Sequence, residues 1–358
     1  MANTDLALEL MSRVFGAPAV PGAGTRFAVL AGETGLRWII PADLGAASRV
    51  LSEWAPYKPS TRIGWRLATA ASRAGALTAI PGVRSLRFDL SAVRWETFGW
   101  TGATPPHVVL YVGTPVERQK LVCTLIDRET LTGRMIVKFP LGATAREGMG
   151  QEFTVLRDIA ATGLDIAPRA VMAGDGLGFT AQSYLRGAPG NVSLSRHHIE
   201  FLVQLIDPKQ PLEMQALRAK LVARREAALD LSAPVRNAID RVLSRGHWSG
   251  TIPSARVHGD FAPWNLKHCA DGRLRAVDWE DSVQGGLPYV DLHHFRRSLE
   301  RLRRSSSVPW QDYTAAIRGL APGFTDEVAA TVRDLAAIES WIAETDRWDG
   351  VFDCEGRV

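Results

Sequence analysis

The stretch that most restricts this chain is VHGDFAPWNLKH, at residues 257–268, which lies between two apolar runs and is predicted to form a loop. It places a histidine, a glycine and an aspartate ahead of a proline, a tryptophan and an asparagine. Asp278 follows Asn265 by thirteen residues and stands at the end of a short apolar strand, in AVDWED. A loop and a neighbouring strand that bring two carboxylates and an amide together predict a metal or phosphate site, because such oxygens bind hard cations like Mg²⁺.

The order of the predicted elements defines the fold class. Before TGATPP, at residues 101–106, the sequence predicts a short helix, two strands and two helices. After it come three strands, a helix at about residues 146–162 and two more strands. From about residue 193 the pattern is mostly helical, apart from 254–285. The prediction is an α+β chain whose β-rich part precedes a mainly helical part.

One predicted helix, at residues 61–78, is amphipathic. Ile63, Leu67 and Ala70 lie on one face and arginines lie around the other. We expect the apolar face to be buried and the basic face to be solvated, and a membrane-surface or partner-binding face is the alternative.

Composition and charge exclude several classes of protein. The net charge of +4 is spread over 358 residues, so it gives no argument for a nucleic-acid partner. Cys123, Cys269 and Cys354 lie far apart without CxxC spacing, which favours a reducing, cytoplasmic location. The N-terminus lacks a signal-peptide pattern, and no apolar run reaches the roughly 20 residues that a membrane-spanning helix needs. We therefore expect neither a nucleic-acid partner nor a membrane span.

With HGDFAPWN and VDWE at this separation and in this element order, residues 105 to about 345 resemble the aminoglycoside phosphotransferase/choline kinase family. The resemblance implies a protein-kinase-like two-lobe fold. A β-rich N-lobe for the nucleotide would span 105–185, and a helical C-lobe with the catalytic loop and the acceptor site would span 186–358. An α/β extension of unknown role, 1–104, would precede them; it could add strands to the N-lobe, mediate dimerisation or bind a partner.

The resemblance also implies direct, Mg·ATP-dependent transfer of a phosphoryl group to a small-molecule hydroxyl, with GTP as a second candidate donor. The protein's part in such a reaction is mainly to position groups and neutralise charge. Asp260 and Asn265 have the spacing of a kinase catalytic loop, so Asp260 would accept the hydroxyl proton while Asn265 and Asp278 would bind Mg²⁺. His258 would hold the loop by hydrogen bonding, and Gly259 would allow a tight backbone.

Lys138, on the predicted third strand, would contact the α- and β-phosphates. Glu152 on the next helix is its preferred partner, and Glu147 is the second candidate. The alternative is an edge lysine whose charged end reaches water.

The phosphate-covering loop departs from the kinase glycine pattern, because VGTPVERQK offers only Gly113. Gly113 and Thr114 are assigned to the phosphates, with an ordinary hairpin as the alternative. AQSYLRG, at 181–187, falls where the linker between the lobes is expected, so the backbone of Ser183, Tyr184 and Leu185 would bind the adenine edge.

Three features of the helical part bear on the site. Asp291 resembles a family aspartate that supports the catalytic loop. His293 and His294 would point about 100° apart on a helix, which favours packing or positioning roles over joint metal binding. The acidic, tryptophan-containing segment 337–358 would suit a cationic acceptor, or its tryptophans could stack on a sugar or enclose a quaternary ammonium. A solvated terminal helix is the alternative.

Two other functions remain open at this point. A nucleotide-binding pseudokinase could act as a scaffold through the extension, although it need not keep every catalytic group. A metal-dependent hydrolase could use His258 and Asp260 as ligands, although no further histidine or aspartate motif has ligand spacing.

Overall fold

The computed structural model describes residues 2–16, 24–32, 35–42, 45–57, 59–142, 144–227, 231–304 and 306–348. The chain divides into two compact units. The first comprises Met1–Gly190 and Leu266–Glu280, and the second comprises Asn191–Asn265 and Asp281–Val358.

Both strands and α-helices occur in each unit. The strands are β1 (Thr25–Gly32), β2 (Gly35–Pro41), β3 (Arg84–Phe88), β4 (His107–Val112), β5 (Lys120–Ile126), β6 (Gly133–Pro140), β7 (Ala170–Ala173), β8 (Thr180–Ser183), β9 (Ala188–Pro189), β10 (Ile206–Glu213), β11 (Thr251–Val257), β12 (Leu266–His268), β13 (Leu274–Ala276) and β14 (Val283–Gly286). The α-helices are α1 (Ala2–Phe15), α2 (Gly45–Ser52), α3 (Pro59–Arg73), α4 (Ala145–Ala161), α5 (Arg196–Val203), α6 (Met214–Ala227), α7 (Ala233–Arg245), α8 (Val290–Arg301), α9 (Trp310–Leu320) and α10 (Asp326–Trp348). Among these helices, none is both long enough and apolar enough to cross a membrane.

The first unit is built on an eight-stranded sheet with the strand order β3-β1-β2-β4-β5-β6-β8-β7. Every neighbouring pair in it is antiparallel. β2 joins β4 where Trp38 lies opposite Tyr111. The strands of residues 25–88 therefore extend the same sheet as the strands of residues 107–183, which is one of the three roles considered for the N-terminal extension.

A hydrophobic cluster packs on each face of this sheet. Successive side chains of a strand point to opposite faces, so neighbouring residues of β1 belong to different clusters. Phe27 and Val29 of β1 belong to the hydrophobic cluster that includes Met11 of α1. Ala28, which lies between them, belongs to a second cluster that includes Val50 of α2. The extension thus supplies both strands and covering helices to the core of the first unit.

The predicted burial of α3 is wrong. Ile63 and Leu67 are 67% and 63% exposed, whereas Ser72 is fully buried. Trp65 fixes this orientation, since its Nε1 donates a hydrogen bond to the carbonyl oxygen of Leu51 at 3.0 Å. The helix therefore packs with small side chains against α2 and leaves its apolar stripe on the surface.

The second unit is mainly helical and contains a three-stranded sheet of order β10-β11-β14. β10 departs from the helix predicted beyond residue 193, because Pro208 and Pro211 cannot donate a helical hydrogen bond. In the core, the rings of Phe201 and Phe295 lie 5.3 and 5.8 Å from the ring of Phe261. The predicted α+β class, with a β-rich N-terminal region and a mainly helical C-terminal part, is confirmed.

Candidate active site

The predicted site residues fall into two groups, one in each unit. The first unit holds Gly113, Thr114, Lys138, Glu152, Ser183, Leu185 and Asp278, and the second holds His258, Asp260 and Asn265. In the first group, Lys138 contacts both Glu152 and Asp278. In the second, Asp260 is hydrogen-bonded to both of the other residues.

Lys138 is the centre of an ion-pair cluster in the first unit. It lies on β6, opposite Val122 of β5 and Thr180 of β8. The alternative of an edge lysine is excluded, because β6 has a neighbouring strand on both sides. Lys138 Nζ donates to Glu152 Oε1 and Oε2 at 2.8 and 2.6 Å, and to Asp278 Oδ1 at 3.0 Å.

Glu152 reaches this cluster from α4. It is 1% exposed and lies on the helix face that also buries Met149, Leu156 and Ile159. Spacings of three and four residues place these side chains on one side of the helix. Glu147, the second candidate, is exposed, so Glu152 is the glutamate that pairs with the lysine.

Asp278 follows β13 in the left-handed backbone conformation, with φ 66°. Aspartate adopts this conformation more readily than most residues. The buried Trp279 fixes the turn, because its Nε1 donates to the carbonyl oxygen of Ala276 at 2.9 Å. The Asp278 side chain is 32% exposed, so it is accessible to solvent while it binds the lysine.

Two members of this cluster, Lys120 and Glu280, were not predicted. Lys120 Nζ donates to Glu280 Oε2 at 2.7 Å and to Asp278 Oδ1 at 3.2 Å. The signal that could have found Lys120 is a lysine adjoining an apolar strand, LVCTLI, the same signal that identified Lys138. Glu280 completes the DWE motif two residues after Asp278.

The cluster's electrostatics follow from burial and close pairing. Burial opposes the charged form of Asp278, but the ammonium groups of Lys120 and Lys138 outweigh it and hold the pKa of this carboxyl well below its ordinary value. Burial also opposes charge on both lysines, yet the neighbouring carboxylates raise the pKa of each above its ordinary value. Glu280 differs, because burial and the charge of Asp278 outweigh Lys120 and raise its pKa.

The turn between β4 and β5 is closed by hydrogen bonds. Gly113 N donates to the carbonyl oxygen of Lys120 at 2.9 Å, and Gln119 Nε2 donates to the carbonyl oxygen of Gly113 at 3.0 Å. Arg37 of β2 contacts the hydroxyl of Thr114 at 3.4 Å. Binding of phosphates by Gly113 and Thr114 stays a prediction, and the N-terminal extension contacts this turn through Arg37.

The segment predicted to bind adenine is partly engaged within the first unit. Ser183 N donates to the carbonyl oxygen of Arg169, and Ser183 Oγ accepts from Arg169 N, both at 2.8 Å. Tyr184 Oη donates to Glu53 Oε2 at 2.7 Å. An adenine contact by the backbone of Ser183 or Leu185 stays a prediction.

In the second unit, both carboxylate oxygens of Asp260 have a partner. Asn265 Nδ2 donates to Oδ2 at 2.8 Å and to the carbonyl oxygen of Asp260 at 2.9 Å. His294 Nε2 lies 2.9 Å from Oδ1. The side chain is 28% exposed, and each carboxylate oxygen has two lone pairs. The carboxylate is therefore fixed in orientation and still able to accept a hydrogen bond from a hydroxyl group.

Asp291, on α8, fixes the backbone of the loop that carries Asp260. Its Oδ2 accepts from His258 N at 2.8 Å and its Oδ1 accepts from Gly259 N at 3.1 Å. His258 Nδ1 accepts from Asp260 N at 3.2 Å. Gly259 has φ 85°, and a Cβ there would collide with the carbonyl oxygen of Asp281, so this position requires glycine.

Replacing Asp291 by asparagine is expected to lower the free energy of unfolding by about 1–2 kcal/mol, because the amide NH2 group takes the place of one of the two oxygens and cannot accept the hydrogen bond of the backbone N–H that faces it. This loss of stability is expected to be modest. Burial raises the pKa of Asp291, which means that the buried negative charge removed by the substitution is itself unfavourable. Urea unfolding measures the change. Asp312→Asn, at an exposed position of α9, is the control, and equal stability of the two variants would contradict the role of Asp291.

The adjacent histidines of α8 have different partners. His293 Nε2 donates to the carbonyl oxygen of Arg333 at 3.0 Å, and its ring lies 4.8 Å from that of Trp310. Burial lowers the pKa of His293 to about 4, so it is neutral at neutral pH. His294 contacts Asp260, so one histidine packs in the core and the other positions the carboxylate.

The acidic C-terminal segment belongs only in part to the described residues. Residues 349–358 lie outside them, as do the side chains of residues 343–348. Trp341 is 37% exposed, and the guanidinium of Arg297 lies 5.4 Å from its ring. Contact between this segment and a cationic acceptor stays a prediction.

The donor chemistry of the predicted metal ligands fits Mg²⁺. This ion commonly takes one or two protein carboxylates together with substrate phosphates, so Asp278 is suitable. Asn265 donates to Asp260 through Nδ2. The amide oxygen of Asn265, a hard ligand, takes no part in those two hydrogen bonds. Across the described ranges, no group of three or more histidines, cysteines, aspartates or glutamates could hold a metal ion.

The profile of the phosphotransferase enzyme family matches residues 126–305, half of the chain. The matched range contains Lys138, Glu152, Asp260, Asn265 and Asp278. The chain therefore belongs to this family, and the resemblance to aminoglycoside phosphotransferases and choline kinases is confirmed. It is an enzyme, a small-molecule kinase with a hydroxyl group as acceptor.

Several solved structures are similar to the chain at low identity. Choline kinase LicA from Streptococcus pneumoniae is 16% identical, with 68% of this chain and 86% of that chain covered and a TM-score of 0.39. Macrolide 2'-phosphotransferase MphH from Brachybacterium faecium is 17% identical, with 69% and 93% covered and a TM-score of 0.43. No curated protein matches the sequence.

Proposed function

We propose that this enzyme uses Mg·ATP to phosphorylate a hydroxyl group of a small cytoplasmic compound that carries a sugar or an amino alcohol, such as an aminoglycoside-like molecule. GTP is the second candidate donor. The observation that carries the proposal is the buried Lys138 ammonium bonded to both Glu152 and Asp278. Burying charged groups is costly, and a phosphate-binding function gives a reason for keeping them.

In the first unit, Glu152 holds the ammonium of Lys138 in place, and the ammonium donates hydrogen bonds to the α- and β-phosphates. Gly113 and Thr114 line the turn over the phosphates, and the backbone of Ser183 and Leu185 binds the adenine edge. Asp278 would hold Mg²⁺, and Asn265, which belongs to the second unit, would contribute its amide oxygen. Mg²⁺, when bound, neutralises charge on the transferred group and on the leaving group.

In the second unit, Asp260 acts as the base. Its carboxylate accepts the proton of the acceptor hydroxyl while the hydroxyl oxygen bonds to the γ-phosphorus. The bond from that phosphorus to the β–γ bridging oxygen breaks, and the nucleoside diphosphate leaves with the electron pair. Asn265 and His294 keep the carboxylate oriented, and His258 supports the loop. Transfer is direct, because the segment HGDFAPWN contains no cysteine and its one histidine, His258, accepts a hydrogen bond from Asp260 N.

Two measurements test the proposal together. Thermal unfolding with ATP or GTP, with and without Mg²⁺, is expected to show Mg-dependent stabilisation of about 2.7 kcal/mol at a hundredfold excess over Kd. Release of nucleoside diphosphate is then expected only with an acceptor, in a panel of amino alcohols, aminoglycosides and simple sugars. If the nucleotide stabilises the protein equally with and without Mg²⁺, and no compound of the panel is phosphorylated, the scaffold alternative would be favoured. No response to either nucleotide would contradict the proposal.

A further inference from the structure

Lys120 is a second buried ammonium group beside Lys138. It is 9% exposed, and its Nζ lies 2.7 Å from Glu280 Oε2 and 3.2 Å from Asp278 Oδ1. Lys138 Nζ lies 3.0 Å from that same oxygen of Asp278. Two ammonium groups from neighbouring strands therefore converge on one carboxylate oxygen. Lys120 precedes the range 126–305 that the family profile matches, so the match implies no role for it.

The backbone of Lys120 closes the turn assigned to the phosphates. Its carbonyl oxygen accepts the hydrogen bond of Gly113 N at 2.9 Å, so Lys120 stands at the base of residues 113–119. The side chain leads from this turn to the carboxylate proposed to hold Mg²⁺. Lys120 thus contacts both features assigned to the phosphates of the nucleotide, the turn at residues 113–119 and the carboxylate of Asp278.

Glu280 holds Lys120 in this position. Its carboxylate lies against Gly148 of α4, where a Cβ would stand 2.5 Å from Glu280 Oε2. With ordinary charges, Lys120 and Lys138 contribute +2 and Glu152, Asp278 and Glu280 contribute −3, a total of −1. Without Lys120 the total would be −2, which is less favourable for a polyphosphate anion.

We infer that Lys120 is a second phosphate-binding residue of the nucleotide site and that Glu280 is its positioning residue. The inference rests on the proposed function and refines it. The Lys120 ammonium donates hydrogen bonds to the phosphoryl oxygens of a nucleoside polyphosphate, beside the ammonium of Lys138. Lys120 therefore contributes affinity for the phosphate tail and none for the nucleoside.

The test compares the affinities for ATP and adenosine, by calorimetry at constant Mg²⁺ without acceptor. Lys120→Met is expected to weaken ATP binding by about tenfold or more, the range for a charge-assisted hydrogen bond, and to leave adenosine binding unchanged. Lys120→Arg is expected to restore most of the ATP affinity. The matched control is Lys209→Met, at an exposed position of β10, which should bind both ligands as the wild type does.

Glu280→Asp provides an independent variant in case Lys120→Met does not fold. It keeps the lysine and the charge of the cluster but shortens the carboxylate side chain by one methylene group, so Lys120 is held less firmly and the ratio of ATP to adenosine affinity is expected to fall severalfold. Equal weakening of ATP and adenosine in either variant, or no change in both, would show that Lys120 only ties the strand to residues 278–280 and would overturn the inference. Failure of the wild type to bind ATP would overturn the proposed function itself, so the two failures are distinguishable.

Discussion

Replacing Asp260 by asparagine is expected to lower kcat by about 10²–10⁴-fold, the range that a positioned acid or base contributes. The asparagine side chain has the same shape but cannot accept the hydroxyl proton as a carboxylate does. Affinity for ATP should stay within about twofold of the wild type, because Lys138 and Glu152, which are assigned to the nucleotide, belong to the other unit. Turnover is measured by nucleoside diphosphate release, and affinity by the nucleotide-induced shift of the unfolding temperature.

Asp312→Asn is the matched control for this prediction, because Asp312 is an exposed aspartate of the same unit. It should have wild-type turnover. If Asp260→Asn kept more than about a tenth of wild-type kcat, Asp260 could not be the base, since that residual rate exceeds what the loss of a general base leaves. Simultaneous loss of ATP affinity and stability would instead indicate that Asp260 serves mainly to support the loop through Asn265 and His294.

The parts of the fold that could be predicted from sequence are those fixed by local patterns. β4 to β6 follow from short apolar runs bounded by turns, and the burial of Glu152 follows from helix periodicity within α4, so their place depends on a few neighbouring residues. The face of α3 was predicted wrongly for a tertiary reason. Its orientation is set by a hydrogen bond between Trp65 and Leu51, fourteen residues away, while Ile63 and Leu67 remain exposed.

The site shows the same division between local and distant determinants. The aspartate, asparagine and DWE segments were found because their spacing is itself informative. Lys120 adjoins an apolar strand as Lys138 does, but its place in the cluster depends on the pairing of β5 with β6 and on the return of the chain at residue 278, so it was missed. The contact between His294 and Asp260 spans 34 residues, and no spacing rule at that distance distinguishes it from ordinary helix packing.

Replacing Asp278 by asparagine is expected to abolish the Mg-dependent part of nucleotide binding. The amide keeps an oxygen but not the negative charge that attracts Mg²⁺ and both lysines. ATP should then shift the unfolding temperature equally with and without Mg²⁺. Asp175→Asn, at an exposed position of the same unit, is the control and should keep the Mg-dependent shift. A wild-type response to Mg²⁺ in Asp278→Asn would rule out this residue as the metal ligand.

The same substitution is expected to lower the free energy of unfolding by less than about 3 kcal/mol, since each lysine retains a glutamate partner. The pH dependence of this loss distinguishes stabilisation by the ion pairs of Asp278 from stabilisation by packing. Lys120 and Lys138 hold the pKa of Asp278 well below its ordinary value, so the carboxylate's stabilisation is complete above the unfolded value of about 4 and declines as pH falls further. The stability difference between wild type and Asp278→Asn should therefore shrink as pH falls below about 4. A difference that is the same at every pH would mean that Asp278 stabilises the fold by shape alone.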